Sequence, residues 1–386
     1  MVNSSSLVKP LAMKLVPVLR IFAEAFYSLL KLLPMHNRLV LMTRRNVTSS
    51  LDFELIEEYV ARECPGVEVV VMYHPMGNKV RYLFTLVQEL YYLATSKWAV
   101  TDSYQISISL FPLRRGVRVA QVWHSLGAIK QFGRLTVGLE AGSSEEVANL
   151  MKMHENYSVV AAPSSATAEV FAKGFGVPRE IVEVIGSPRI DYLVNVDRAW
   201  ARQELVQKYN LDPERPIYLY APTFRDHATV PVAELVEPLQ DSNAQLMLQI
   251  HPRDAQTVGT VPGLIVSREP ELLRLLAGAD GMITDYSGAV YEAGILGVPV
   301  AFWAYDIEDY RRSPGFTFDF ESELADLITK SPSEAITLLD EQASAHSDGF
   351  ARFMDTYIET RDDQNCRRLA KTLGLPLKGT VAREHS

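Results

Sequence analysis

The chain has 386 residues, too many for one ordinary core and suited to two domains of typical size. Hydrophobic residues make up 47% and charged residues 22%, a globular composition with ample material for a core. The formal net charge of −9 argues against a general nucleic-acid binder, whose affinity comes from neutralising phosphates.

That charge is unevenly spread. Residues 1–50 carry Lys9, Lys14, Arg20, Lys31, Arg38, Arg44 and Arg45 against the single acid Glu24, although the whole chain is acidic. The basic end coincides with "LAMKLVPVLRIFAEAFYSLLKLLP" (11–34). A spanning helix needs about 20 apolar residues nearly free of charge. Lys14, Arg20, Glu24 and Lys31 interrupt this run, and no small-residue cleavage site follows it, so neither a membrane span nor a signal peptide is expected. After Pro17, Arg20, Glu24, Tyr27, Ser28 and Lys31 fall on one helical stripe, while Phe22, Phe26, Leu29, Leu30 and Leu33 fall on the other. The pattern predicts an amphipathic segment over 1–36 that lies on an anionic membrane surface. The alternative is a surface helix packed on its own domain.

Valine- and aromatic-rich runs at 38–44, 67–73, 98–104, 117–124 and 157–164 predict short strands, with helical patterns such as "DFELIEEYVAREC" and "VRYLFTLVQELYYLATS" between them. Ser49 and Ser50 are suited to cap the first of these helices. A second set of strands is expected at 216–223, 244–251, 264–267, 281–287 and 298–304. Strands alternating with helices indicate α/β domains with parallel sheets covered on both faces. The polar segment "DRAWARQELVQKYNLDPERP" bridges the two sets and places a boundary near 190–215. The domains are accordingly set at 37–200 and 201–386, both doubly wound and Rossmann-like, with the last helical pattern crossing back to the first. Cys64 and Cys366 are far apart and show no metal-ligand spacing; the simple reading is a reducing cytoplasm, the alternative one disulfide.

In doubly wound sheets, ligands bind beyond the carboxyl ends of the strands. "QVWHSLGAIK" (121–130) ends a predicted strand on His124, where Ser125 and Gly127 sit in a turn, and "LQIHPRD" (248–254) ends another on His251. One histidine per domain, each at a strand end, suggests a pair facing one cleft as general base and phosphate donor. In "TDYSGAVYEAG" (284–294), Asp285 and Ser287 precede a helix that opens at Gly288. Free N–H groups and the helix dipole make an anion site there, with the Ser287 hydroxyl as a further donor. Glu292, one turn on, is placed to take hydroxyls of a ribose or polyol. An ordinary capped helix explains the same residues. In "YAPTFRD" (220–226), Thr223 and Arg225 leave a sheet edge, where an arginine suits bidentate phosphate binding or a surface ion pair. In "GSPRIDYL" (186–193), Arg189 and Asp191 either contact a ligand, pair with each other or mark a hinge. HExxH, Walker, Gly-x-Ser-x-Gly and CxxC motifs are all missing from the sequence.

"WHSLGAIKQFG", "GSPRIDYL", "YAPTFRD", "IHPR", "ITDYSG" and "YDIEDYRRSPGFTFDF" occur in this order, and together they resemble the CDP-glycerol glycerophosphotransferase family of wall teichoic acid synthesis. The likeness runs from about residue 117 to 325. The resemblance implies a GT-B fold with the nucleotide donor on the second domain and an acceptor-side first domain. It makes His124 the base for the acceptor hydroxyl and puts His251 near the donor phosphates. Arg225, Ser287 and the following helix start match the diphosphate contacts, and no metal or other cofactor is implied. The implied partners are CDP-glycerol or CDP-ribitol and an undecaprenyl-diphosphate-linked acceptor, at the cytoplasmic face of a bacterial membrane. The chain departs from the family pattern at Ser125, where glycine is usual, at Gly288, where a second serine is usual, at Glu292, where aspartate is usual, and in "SELADL" after the "FDFE" run. Because the catalytic module is preceded by the amphipathic segment alone, single addition by a primase is expected, with a short polymerase or capsule enzyme as the alternative. The segment "TDYSGAVYEAGILGVPV" also resembles the nucleotide-sugar segment of NDP-sugar glycosyltransferases and 2-epimerases on the same fold. A nucleotide-binding protein without turnover is the third reading.

Overall fold

The computed structural model describes residues 5–44, 50–74, 79–140, 142–223, 231–249, 264–267, 271–342 and 347–379. Strands and helices alternate along the chain, and the strands form two six-stranded sheets. The first sheet contains β1 (His36–Thr43), β2 (Glu68–Tyr73), β3 (Ser96–Thr101), β4 (Arg118–Gln121), β5 (Val159–Ala162) and β6 (Val182–Val184), in the order β2-β1-β3-β4-β5-β6. The second contains β7 (Ile217–Tyr220), β8 (Gln245–Leu248), β9 (Leu264–Val266), β10 (Gly281–Thr284), β11 (Val300–Trp303) and β12 (Ile328–Thr329), in the order β12-β11-β10-β7-β8-β9. β1 pairs in parallel with β2 and β3, and β10 in parallel with β7 and β11.

Because parallel strands are covered on both faces, they read as unbroken apolar runs. Leu39, Val40, Leu41 and Met42 on β1 are all fully buried, as are Met282 and Ile283 on β10. Each such side chain contributes about 1.5–3 kcal/mol by leaving water. Ser50 caps the helix Leu51–Glu63, its side chain accepting from the Phe53 N–H.

The strands stop sooner than their apolar runs. The run predicted to reach His124 ends as a strand at Gln121, and the run predicted to reach Ser287 ends at Thr284. β6 and β12 have three and two residues, too few to show a period, and neither is legible in the sequence.

The chain divides into two compact units. The first comprises Met1–Trp123, Asn149–Val160 and Ala370–Ser386, and the second His124–Ala148 and Ala161–Leu369. In the first unit, the Trp98 indole donates to the Leu373 carbonyl at 2.9 Å, tying the last described helix, Asn365–Leu373, to β3. Cys64 and Cys366 are both buried free thiols, so the disulfide alternative is not realised.

The N-terminal helix is continuous from Ser5 to Leu30. Its described side chains reverse the usual arrangement of a surface helix. Tyr27, on the polar stripe, is fully buried against Phe111, with ring centroids 6.1 Å apart. Lys31 covers the Tyr27 ring and donates to the Pro112 carbonyl at 3.2 Å. Arg20 and Glu24 pair with each other at 2.7 Å. The apolar stripe faces outward: Phe22 is 70% exposed, and Leu19, Ile21, Phe26, Leu29, Leu32 and Leu33 are exposed with it. The neighbouring helix, Lys79–Thr95, likewise exposes Val80, Leu83, Phe84 and Val87. Among the described residues no helix is long and apolar enough to cross a membrane.

Candidate active site

The second unit gathers most of the motif segments around one helix, Ala289–Leu296, which follows β10. The turn between them is held by Asp285, which is fully buried. Its Oδ1 accepts from the Thr223 N–H at 2.8 Å, from the Thr223 hydroxyl and from the Tyr286 N–H at 2.6 Å. Thr223 and Asp285 were both expected near the donor, and the structure brings them together as partners that fasten the ends of β7 and β10. A buried carboxylate needs several such donors to offset its desolvation.

Ser287 and Gly288 open the helix. Ser287 Oγ accepts from the Ala289 N–H at 3.3 Å, which leaves the hydroxyl proton to be directed elsewhere. Gly288 takes φ −61° and ψ −13°, a conformation open to any residue. Space there is taken by a neighbour: a Cβ would lie 2.3 Å from Ser125 Oγ and 3.5 Å from Ser125 Cβ, so a side chain at 288 would have to displace that hydroxyl. Gly127 is constrained in the same way, since a Cβ on it would lie 2.5 Å from the Tyr291 ring. The loop carrying His124 therefore lies directly on the first turn of this helix.

That loop is also held from its other side. Gln131 N–H donates to the Gly315 carbonyl, Thr317 N–H donates to the Ile129 carbonyl, both at 2.9 Å, and the Thr317 hydroxyl donates to the Ala128 carbonyl. Lys130 and Phe316 form an antiparallel bridge. Phe316 belongs to an aromatic stack with Phe320, Tyr310 and Tyr286, in which Tyr286 lies over Tyr310 at 3.9 Å. The "YDIEDYRRSPGFTFDF" segment thus braces both the histidine loop and the turn that opens the helix.

His124 itself is exposed. The chain bends through His124–Gly127, across the Ser-Leu-Gly sequence, and the residue before the histidine is itself unusual. Trp123 takes φ +55°, a strained conformation for an aromatic residue. In the first unit Gln121 holds that turn, its Oε1 accepting from the Trp123 N–H at 2.9 Å and its Nε2 donating to the Tyr157 hydroxyl at 3.1 Å. His154 packs edge-on against Trp123 and meets the Tyr157 hydroxyl at 3.0 Å. Gln121, His154 and Tyr157 escape the sequence reading, because three buried polar side chains form no motif until the fold joins them.

Arg189 and Glu292 meet as a buried ion pair, Nη1 to Oε1 at 2.9 Å. Arg189 therefore pairs with Glu292, while Asp191 caps the helix Asn365–Leu373 by accepting from the Asn365 and Cys366 N–H groups at 2.8 and 2.9 Å. The suggested pairing of Arg189 with Asp191 is thus replaced by two separate contacts. Tyr291, next to Glu292, is fully buried and stacked on Phe353 at 5.2 Å. Burial raises its phenol well above the ordinary range, so it stays neutral. His251 and Arg225 lie outside the described residues.

Two parallel sheets and a helix opening on a serine at a strand's carboxyl end make an α/β architecture of the kind that binds phosphate-bearing ligands at its strand ends. The family model of CDP-Glycerol:Poly(glycerophosphate) glycerophosphotransferase matches residues 25–374, and the chain belongs to that family of teichoic acid transferases. It is 28% identical over 367 residues to the teichoic acid ribitol-phosphate primase of Bacillus spizizenii, covering 91% of this chain and 94% of the relative. It is 26% identical over 285 residues to the teichoic acid glycerol-phosphate primase of Bacillus subtilis, covering 68% and 73%. The structure of the wall teichoic acid polymerase TagF superposes with a TM-score of 0.73 at 18% identity, covering 96% of this chain and 98% of that one. The UDP-GlcNAc 2-epimerase of Methanocaldococcus jannaschii shares the fold at a TM-score of 0.57 and 14% identity, covering 87% and 99%.

Proposed function

We propose that the enzyme transfers a polyol phosphate from a CDP-activated polyol to a hydroxyl of a lipid-linked acceptor, with His124 as general base and CMP as leaving group. The observation that supports this reading is the seating of the His124 loop on the helix start at Ser287–Gly288, within one unit. The acceptor oxygen attacks the phosphorus next to the polyol, and His124 takes its proton. The bond from that phosphorus to the CMP oxygen breaks. Ser287 and the helix N–H groups stabilise the charge gathering on the phosphates. The family resemblance adds Arg225 and His251 to the diphosphate contacts. Arg189 orients the Glu292 carboxylate, which takes polyol or ribose hydroxyls.

Glycerol phosphate, added once, is the first reading of the transferred group. The ribitol-phosphate primase of Bacillus spizizenii, aligned over 94% of its length, supports ribitol phosphate as the second. The donor is assigned to the C-terminal domain and the acceptor to the N-terminal one. The outward apolar faces of Ser5–Leu30 and Lys79–Thr95 support peripheral docking on the cytoplasmic face of the membrane, where a lipid-linked acceptor lies.

The deciding experiment supplies purified enzyme with CDP-glycerol, CDP-ribitol or UDP-N-acetylglucosamine and a lipid-linked disaccharide, and separates the nucleotides released. CMP from one CDP-polyol, dependent on acceptor, is expected. UDP or UMP release without CMP would transfer the protein to the sugar-transferring or epimerising branch of the fold.

A further inference from the structure

The contact between the histidine loop and the helix Ala289–Leu296 contains a hydroxyl that no described residue engages. Ser125 Oγ is buried, yet among the described residues it has no hydrogen-bond partner. A buried hydroxyl left unpaired costs about 1–3 kcal/mol, a cost that a hydrogen bond to a bound ligand would remove. Its surroundings fix its place. The residues after it are clamped to Gly315–Thr317, and Gly127 is pressed on the Tyr291 ring. The Oγ occupies the space that a side chain at 288 would fill. Beside it, the fully buried Tyr291 carries a second hydroxyl without a partner among the described residues, 2.9 Å from where a Cβ on Gly127 would sit.

Residue 288 is the first residue of the helix opening, and Ser287 is its other hydroxyl. A side chain at 288 would project into this anion site from the helix. Here the helix contributes no side chain, and the loop after the catalytic histidine fills the same space with its own hydroxyl. Backbone geometry does not demand the glycine, because its φ and ψ suit any residue. A side chain there would instead displace the Ser125 hydroxyl from its place.

We infer that Ser125 is a donor-binding, specificity-determining residue: its hydroxyl, seated over Gly288, hydrogen-bonds the phosphate or first polyol hydroxyl of the bound CDP-polyol. This rests on the reading of the protein as a CDP-polyol phosphotransferase and deepens it. Placing that hydroxyl on the histidine loop ties donor recognition to the position of the base. A donor that engages Ser125 draws the His124 segment towards the phosphate that the acceptor attacks.

The test uses the full chain and three variants, Ser125→Ala, Gly288→Ser and the double Ser125→Gly/Gly288→Ser. The readouts are acceptor-dependent CMP release from CDP-glycerol and from CDP-ribitol, and the melting temperature. Ser125→Ala is expected to raise the donor KM about 10- to 100-fold, as for one lost hydrogen bond to a charged group. Its melting temperature is expected not to fall, because no protein group loses a partner. Gly288→Ser alone is expected to lose most activity, since its Cβ collides with Ser125 Oγ. The double variant is expected to recover most of that loss and to change the ratio of the two donors' kcat/KM. An unchanged donor KM in Ser125→Ala, or a fall in its melting temperature with kcat and KM intact, would overturn the inference, as would a double variant no better than Gly288→Ser. If the parent enzyme releases CMP from neither donor, the phosphotransferase reading itself fails, an outcome distinct from a normal parent with a silent Ser125→Ala.

Discussion

Helices Ala289–Leu296 and Ser5–Leu30 both carry many apolar residues, and the protein uses them in opposite ways. The first buries Ala289, Val290, Tyr291, Ala293 and Leu296, and matches the charge of its single carboxylate, Glu292, with Arg189. The second keeps Tyr27 inside and turns Phe22, Phe26 and Leu29 to the outside. A helix apolar on nearly all sides is stabilised by the protein around it, whereas one with an outward apolar stripe completes its burial elsewhere. The first lies at the candidate site and the second exposes an apolar stripe.

Removing the group that the first helix serves should have the largest effect. His124→Ala is expected to lower kcat by about 10²–10⁴-fold, the usual contribution of a positioned acid–base group. Donor affinity, read by calorimetry with CDP-glycerol, should stay within about threefold of the parent. Transfer at the parent rate would remove His124 from its role as base.

Next comes the charge pair on that helix. Arg189→Met leaves the Glu292 carboxylate buried without its partner and should cost about 3–5 kcal/mol in urea unfolding. The double variant Arg189→Met/Glu292→Leu should recover most of that stability but not the activity. Recovery of both would reduce the pair to a structural contact.

The outward stripe gives a smaller effect on a different readout. Phe22→Glu or Leu83→Glu should weaken sedimentation with anionic vesicles about tenfold or more, since one buried apolar side chain is worth about 1.5–3 kcal/mol. Turnover of a water-soluble acceptor analogue should not change. Unaltered sedimentation of both variants would leave the exposed stripes without a membrane role.

Much of this comparison can be read in the sequence. The periodicity of Arg20, Glu24, Tyr27 and Lys31 marks one stripe of the helix, but it does not say which stripe faces the protein. Tyr27 and Lys31 look like a solvent face until Phe111 and the Pro112 carbonyl are placed beneath them. The alternation of strands and helices is legible because parallel strands are apolar along their whole length. The strand ends are not, because Val122 and Trp123 continue an apolar run past the last ladder residue. The helix start at Ser287–Gly288 is visible as a local motif. The partnership of Gly288 with Ser125, of Arg189 with Glu292 and of Asp285 with Thr223 is not, since each joins residues far apart in the chain that only tertiary packing brings together.

The smallest expected effect concerns the tyrosine each helix buries. Burial pushes the Tyr27 phenol up to about 12, against an opposing pull from Arg114, and it also raises Tyr291 well above the ordinary value. A phenol whose pKa is higher in the folded chain holds its proton while the unfolded chain loses it. Its contribution is therefore fully present below the ordinary value of about 10 and is lost as pH rises from there through the folded value. Tyr27→Phe should match the parent near pH 7 to within about 1 kcal/mol and become relatively more stable between about pH 10 and 12, by no more than 2–3 kcal/mol. Tyr291→Phe should show the same sign. Paired urea titrations of parent and variant at pH 7, 9, 10.5 and 11.5 would measure the difference while cancelling the other groups that titrate there. A Tyr27→Phe difference that stayed flat across this window would mean that the phenol reaches water, and the inward orientation of that stripe would have to be redrawn.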